Sequence, residues 1–190
     1  MASLTRRVIM ESMMKLLDER PLNKISVKDI VEDCGINRNT FYYHFADIPT
    51  LVEAIVREEA DTIMKSYRGV SSLEECIQAA MRLSTNHRRG IFHIYNSPNR
   101  DIYERYLLEI CEYVATAFVD NLIGDDPIPE TDRRAIIQFY KCECFGQIAD
   151  WLNRGMTDDL EKQFLRVCEL RRGMTEEMFR RSREQDATRK

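Results

Sequence analysis

The sequence predicts an all-α protein, on three observations. Apolar residues recur at three- and four-residue spacing along almost the whole chain. Glycine and proline are scarce, seven and five in 190 residues, which disfavours the many turns of an all-β fold. Ser, Asn and Asp stand just before several apolar runs and Gly just after them, where helix caps belong. Apolar residues make up 44 % of the chain, enough for a core, and charged residues 32 %, enough for a solvated surface.

The first helix is expected from Thr5 to Glu19, with Val8, Ile9, Met13, Leu16 and Leu17 on its buried face. Pro21 ends it. Ser26 opens "SVKD", a capping box in which Asp29 reaches back to the free N–H groups. The helix behind it buries Val27, Ile30, Val31 and Cys34. Gly35 stops it in a turn that calls for positive φ, and Ile36 fills the corner. Asn37 caps a short helix running to about His44. Asp47 caps a longer one from about Ile48, with Pro49 in its first turn and Leu51, Val52, Ile55, Val56 and Ile63 on its apolar face. Two short helices joined by a three-residue turn make a helix-turn-helix.

The fourth helix should run to a break at "RGVSS" (68–72). A helix follows from Leu73 to about His87, opened by Ser71. Pro98 marks a stop. Long helices are expected at Asp101–Leu122 and Thr131–Arg154, separated by "GDDPIPE", then one at Thr157–Arg172 ended by Gly173. The last stretch reads as a helix fraying into a charged tail, disordered in part. These boundaries give a helix-turn-helix domain at 1–47, a connecting helix at 48–67, a helical ligand-binding and dimerisation domain at 68–175 and a charged tail at 176–190.

The net charge of −4 does not advertise a nucleic-acid partner. Residues 1–50 carry seven Lys/Arg and seven Asp/Glu, so any phosphate contact depends on where the charges point. The six cysteines, Cys34, Cys76, Cys111, Cys142, Cys144 and Cys168, lie in apolar helical patterns. They read as reduced thiols serving as small hydrophobes in the cytoplasm. No apolar run reaches the ~18 residues of a membrane span. Cys142 and Cys144 sit ~200° apart on a helix, so they do not share one metal. Neither a hydrolase triad nor a phosphate loop is visible, and no enzyme activity, cofactor or metal is expected.

A helix that enters the major groove needs polar tips outward and an apolar back. In "NRNTFYYHF", Phe41 and Phe45 lie four apart and form the back. Arg38 and Asn39 can reach guanine and adenine edges. Thr40, Tyr42 and His44 suit phosphate oxygens, and Tyr43 either a base or surface packing. Ser26 and Lys28 stand at the front of the preceding helix, where N–H groups also attract phosphate. With Asn37 these residues form the expected DNA-contact set.

"ISVKDIVEDCGINRNTFYYHFADIPTLVEAI" (25–55) resembles the DNA-binding domain of the TetR family of bacterial transcriptional regulators. The likeness extends from about residue 6 to 60. It is carried by Ile30, Gly35, Ile36, Asn37, Thr40, Phe41, Tyr42, His44, Phe45 and Leu51. "FGQIADWLNRGMTDDLEKQF" (145–164), with a Trp before a Gly-containing break, is similar to the last helices of that family's regulatory domain. There are two departures. Ile48 stands where the family usually has a phosphate-binding lysine, and Val31 where it favours a very small residue.

The resemblance implies a homodimer on a near-palindromic operator in double-stranded DNA. It implies a repressor whose DNA binding is modulated by a signal, such as a small-molecule effector, sensed in the C-terminal domain. Candidates for that pocket are Phe92, His93, Tyr95, Tyr106, Tyr113, Tyr140 and Cys144. The helices at 131–154 and 157–172 of both copies would pair in a four-helix bundle, with Phe139, Ile148, Trp151, Leu152, Phe164 and Leu165 as interface candidates. "RNTFYYHF" with a short, aromatic-rich regulatory lobe is also similar to regulators of dihydroxyacetone kinase genes. That subgroup implies an activator controlled by a partner protein. The remaining alternative is a small-molecule- or redox-binding protein that keeps the motif only as scaffold.

Overall fold

The computed structural model describes residues 2–66, 88–125, 127–156 and 159–189. The expected break at 68–72, the helix at 73–87 with Ser71 as its cap, and Cys76 lie outside the described residues. Among the described residues the secondary structure is helical throughout. In chain order the helices are α1 (Ala2–Glu19), α2 (Val27–Cys34), α3 (Arg38–His44), α4 (Ile48–Ser66), α5 (Arg88–Tyr95), α6 (Arg100–Ile123), α7 (Glu130–Asn153), α8 (Asp159–Leu170) and α9 (Met174–Arg189), with a 3-10 turn at Leu22–Lys24. None of them is long and apolar enough to cross a membrane.

The chain divides into two compact units, and the division is not linear. One comprises Met1–Thr62 and Arg82–Leu107, the other Ile63–Met81 and Leu108–Lys190. The core of the first is built from Ile9, Met13 and Leu17 of α1, Ile30 of α2, Phe41 of α3, and Leu51 and Val52 of α4, all fully buried.

Helix α5 joins this unit by a close approach to α1. A Cβ on Gly90 would meet Met14 Cε at 3.0 Å and Leu17 Cβ at 3.5 Å, so a residue without a side chain lets the backbones near one another. The Gly90 N–H donates to Asp18 Oδ1 at 3.0 Å. His93 Nδ1 lies 2.6 Å from the Leu17 carbonyl oxygen. In a continuing helix that carbonyl would accept from residue 21, but Pro21 has no N–H. His93 supplies the missing donor from another helix.

In the second unit α7 is the central strut. Arg133 grips Asp120 of α6 through Nε at 2.7 Å and Nη2 at 2.8 Å. Lys141 reaches Glu112 at 2.9 Å. Glu143 pairs with Arg171, whose guanidinium also lies over the rings of Tyr140 and Phe164. Where the sequence suggests a fraying tail, α9 is helical to Arg189. It is anchored by buried Thr175, Phe179 and Ser182, with Thr175 bonded to the Tyr140 hydroxyl and Ser182 to Asp132.

Of the five cysteines described, Cys111, Cys144 and Cys168 are buried, Cys34 is half-buried and Cys142 exposed. Burial pushes the Cys111 thiol up to about 12, so it is neutral at physiological pH.

Candidate nucleic-acid interface

The site is built from local rules. Ser26 Oγ accepts the Asp29 N–H at 3.3 Å, and Asp29 Oδ2 accepts the Ser26 N–H at 2.8 Å. Both halves of the capping box are therefore present. The Ser26 hydroxyl, which also donates to Asp29 Oδ2, then the Ser26 N–H, and Arg20 alongside at 3.1 Å, hold the Asp29 carboxyl below the usual aspartate value. Gly35 ends α2 at φ 66° and ψ 31°, a left-handed conformation that costs a larger residue roughly 1 kcal/mol. The Ile36 N–H returns to the Val31 carbonyl at 3.0 Å, and Asn37 then starts α3.

Along α3 the inner and outer faces separate cleanly. Phe41 and Phe45 are buried, ring centroids 6.0 Å apart. Arg38, Asn39, Tyr42 and Tyr43 are exposed, Tyr42 at 55 % and Tyr43 at 79 %. Spaced i, i+1, i+4 and i+5, these four share one helix face. Thr40 and His44 flank it, half-buried. The Tyr42 ring stands edge-on to Phe41, at 5.4 Å, so a buried ring orients an exposed one. Tyr43 and His44 make a similar pair at 5.0 Å.

Hydrogen bonds distinguish the remaining expected contacts. Asn37 Oδ1 accepts both the Thr40 N–H and the Thr40 hydroxyl, so the hydroxyl hydrogen is already committed. Ser26 is exposed and keeps its capping role. Lys28 is exposed, 3.7 Å from Glu32. Among the described residues no carboxylate pairs with Arg38, so the cation on the exposed face of α3 is not neutralised locally.

At Ile48 the helix N-terminus offers little in place of a lysine. Asp47 Oδ1 accepts the Thr50 N–H at 2.8 Å and the Thr50 hydroxyl at 2.7 Å. The Leu51 N–H is bonded to the Asp47 carbonyl, and Pro49 has none. Only the Ile48 N–H remains, beside the Asp47 carboxylate, which its bonds to Thr50 hold below the usual aspartate value.

These features are those of a DNA-reading helix-turn-helix, and comparison with known proteins agrees. Residues 9–55 match the family "Bacterial regulatory proteins, tetR family". Residues 71–173, more than half of the chain, match "Transcriptional regulator C-terminal region" of the same family. The chain belongs to the TetR family. It is a DNA-binding transcription regulator of helix-turn-helix type with an all-α fold.

Solved TetR-type structures share the fold at low identity. The dihydroxyacetone kinase operon activator DhaS matches with a TM-score of 0.75 and 16 % identity, over 90 % of this chain and 96 % of that one. The TetR family repressor AlkX from Dietzia sp. strain DQ12-45-1b, implicated in biodegradation of n-alkanes, matches at 0.56 and 16 %, over 90 % and 95 %. A TetR transcriptional regulator from Rhodococcus sp. RHA1 matches at 0.53 and 18 %, over 90 % and 97 %. No curated protein sequence matches.

The residues expected at a TetR effector pocket fall in both units. Phe92, His93, Tyr95 and Tyr106 belong to the first, and Tyr113, Tyr140 and Cys144 to the second. His93 faces α1 through the Leu17 carbonyl. The Tyr95 hydroxyl accepts from Arg100 Nη2 at 2.6 Å, and the Tyr106 hydroxyl donates to Glu53 at 3.3 Å. Tyr140 and Cys144 are buried, Tyr113 half-buried. Of the expected interface residues, Trp151, Leu152 and Phe164 are buried within the second unit, Ile148 and Leu165 are half-buried, and Phe139 is 48 % exposed. Sequence reasoning passed over Val167, Leu170 and Met174, apolar side chains of the same unit left exposed. The i, i+3 spacing of Val167 and Leu170 on α8 was the available signal, and Met174 opens the next helix beyond the Gly173 break.

Proposed function

We propose that the protein binds a near-palindromic operator as a homodimer, with α3 of each copy in the major groove. The observation that carries the reading is the division of α3: Arg38, Asn39, Tyr42 and Tyr43 outward, Phe41 and Phe45 buried. Arg38 and Asn39 read base edges. Tyr42, His44, Ser26 and Lys28 touch the backbone, and Asn37 and Thr40 shape the helix start from which they do so. Pairing uses the exposed apolar side chains Phe139, Val167, Leu170 and Met174, with Ile148 and Leu165 beside them.

In this reading residues 1–47 bind DNA, 48–67 connect, and 68–175 sense and pair. A signal held there represses or releases by favouring one spacing of the two α3 helices over another. A second reading of the sign is activation: the chain shares its fold with the operon activator DhaS, and the resemblance of "RNTFYYHF" to regulators of dihydroxyacetone kinase genes adds control by a partner protein.

Gel-shift and footprinting on the DNA flanking the protein's own gene test the proposal. Wild-type protein should protect two half-sites about 10 bp apart. Arg38→Ala and Tyr42→Phe should both weaken the complex. Unchanged affinity in both variants defeats the reading, and a reporter driven by that promoter decides between repression and activation.

A further inference from the structure

Helix α4 carries two carboxylates five residues apart, Glu53 half-buried and Glu58 exposed, each paired to a different neighbour. Glu53, 43 % exposed at its side chain, is held by Arg105 at 2.7 Å and by the Tyr106 hydroxyl at 3.3 Å, both on α6. Glu58, 50 % exposed, is paired with Arg6 of α1. Arg6 has a second partner. Its guanidinium carbon lies 5.3 Å from the centre of the Phe45 ring. Phe45 is the C-terminal cap of α3, 2 % exposed, and shares its buried face with Phe41. Arg6 is thus one side chain touching both the end of α3 and the middle of α4. A planar guanidinium can stack on a ring and bond a carboxylate edge-on at the same time, which an ammonium cannot match.

We propose that Arg6 and Glu58 are positioning residues for DNA recognition: Glu58 fixes the Arg6 guanidinium, and the guanidinium fixes the Phe45 end of α3 relative to α4. The inference rests on the reading of α3 as the groove-binding helix. It assigns a role to two residues outside the motif, one before it and one after it. A shift of α4 along its axis carries Glu58 with it, draws Arg6 off the ring, and releases the end of the helix that must lie flat in the groove. Ion pair and ring contact are each weak, so the latch tunes the pose of α3 rather than holding the fold.

The sign of one substitution separates this from plain electrostatics. Glu58→Gln removes a negative charge from the helix that follows the DNA-binding domain. Long-range electrostatics alone makes that variant bind DNA as tightly as wild type or more tightly. The latch makes it bind more weakly, by about three- to fivefold, comparable to losing one exposed ion pair. Glu53→Gln is the matched control, because it removes the same charge from the same helix but its partners lie on α6. It should not weaken binding. Arg6→Lys keeps the charge and loses the stacking, and should weaken binding about as much as Glu58→Gln. Affinities are measured by fluorescence anisotropy over a salt series on the footprinted DNA, with thermal unfolding to confirm that each variant is folded.

Weakening in Glu58→Gln and Arg6→Lys, with the salt slope of wild type and no loss in Glu53→Gln, establishes the latch. Tight binding by Glu58→Gln overturns it. A salt slope shallower by about 0.9 in Arg6→Ala also overturns it, because Arg6 is then a direct phosphate contact. If wild-type protein footprints nothing, the groove-binding reading fails first and takes the latch with it.

Discussion

Asn37 Oδ1 accepts two hydrogen bonds from one residue, the Thr40 N–H at 2.8 Å and the Thr40 hydroxyl at 3.1 Å. The side chain that starts α3 is thereby fixed to its first turn. Replacing Asn37 with Ala should cost about 1 kcal/mol of stability, and Asn37→Asp should keep most of it. Chemical denaturation of the two variants checks this. DNA affinity should fall in Asn37→Ala by more than stability alone explains, since α3 starts from that cap.

Ile48 offers a gain-of-function test. With the first turn of α4 occupied by Asp47 and Pro49, a lysine at this position would add a phosphate contact that the backbone does not supply. Ile48→Lys should tighten DNA binding and steepen the salt dependence by about 0.9 in log–log slope. An unchanged slope would mean that this end of α4 does not face the duplex.

Acid should loosen the DNA-binding helices in a defined direction. Asp29, Asp33 and Asp47 are all held below the ordinary aspartate value of 3.8, chiefly by side-chain hydrogen bonds from Ser26, Lys15 and Thr50 respectively. Folded values below unfolded ones add stability that is fully present above pH 3.8 and lost as pH falls through the lowered values. Helicity followed by circular dichroism should be flat near neutrality and fall below about pH 4. Asp29→Asn and Asp47→Asn should make that fall shallower, because each removes one proton-linked group.

The His93–Leu17 bond should be visible as stability. His93→Ala leaves the Leu17 carbonyl without the donor that Pro21 denies it, at a cost of about 1–3 kcal/mol. Thermal unfolding reads the loss. The same variant tests the effector reading: any ligand whose affinity survives His93→Ala does not use that imidazole.

Pairing of copies can be broken on the surface of the second unit. Leu170 is 68 % exposed, so a charge there costs the single chain little. Leu170→Glu, and more so with Phe139→Glu, should shift the protein toward monomer in light scattering. Operator affinity should fall with it. A dimer that persists in the double variant places the interface elsewhere.

The DNA-binding half was legible because its signals are local. Ser26 with Asp29, Gly35, Asn37 with Thr40 and Asp47 with Thr50 are contacts between residues three or so apart, and type and spacing suffice to find them. Helix α5 escaped notice for the opposite reason. It is eight residues long, contains Gly90, and is held by Asp18 and Leu17, more than seventy positions away. Arg6 and Glu58 were unreadable for the same reason, since 52 positions separate them. In the second unit the sequence showed that Trp151, Leu152 and Phe164 seek burial. Only packing shows that their own chain already buries them.

The shortness of α3 sets a limit on information. Seven residues at ~1.5 Å each span roughly 10 Å, or about three base steps of ~3.4 Å. A word of three or four letters recurs about once in every 60–250 base pairs of random sequence, while a genome offers on the order of a million or more decoys. One such helix reads a syllable, and only two read together can spell an address.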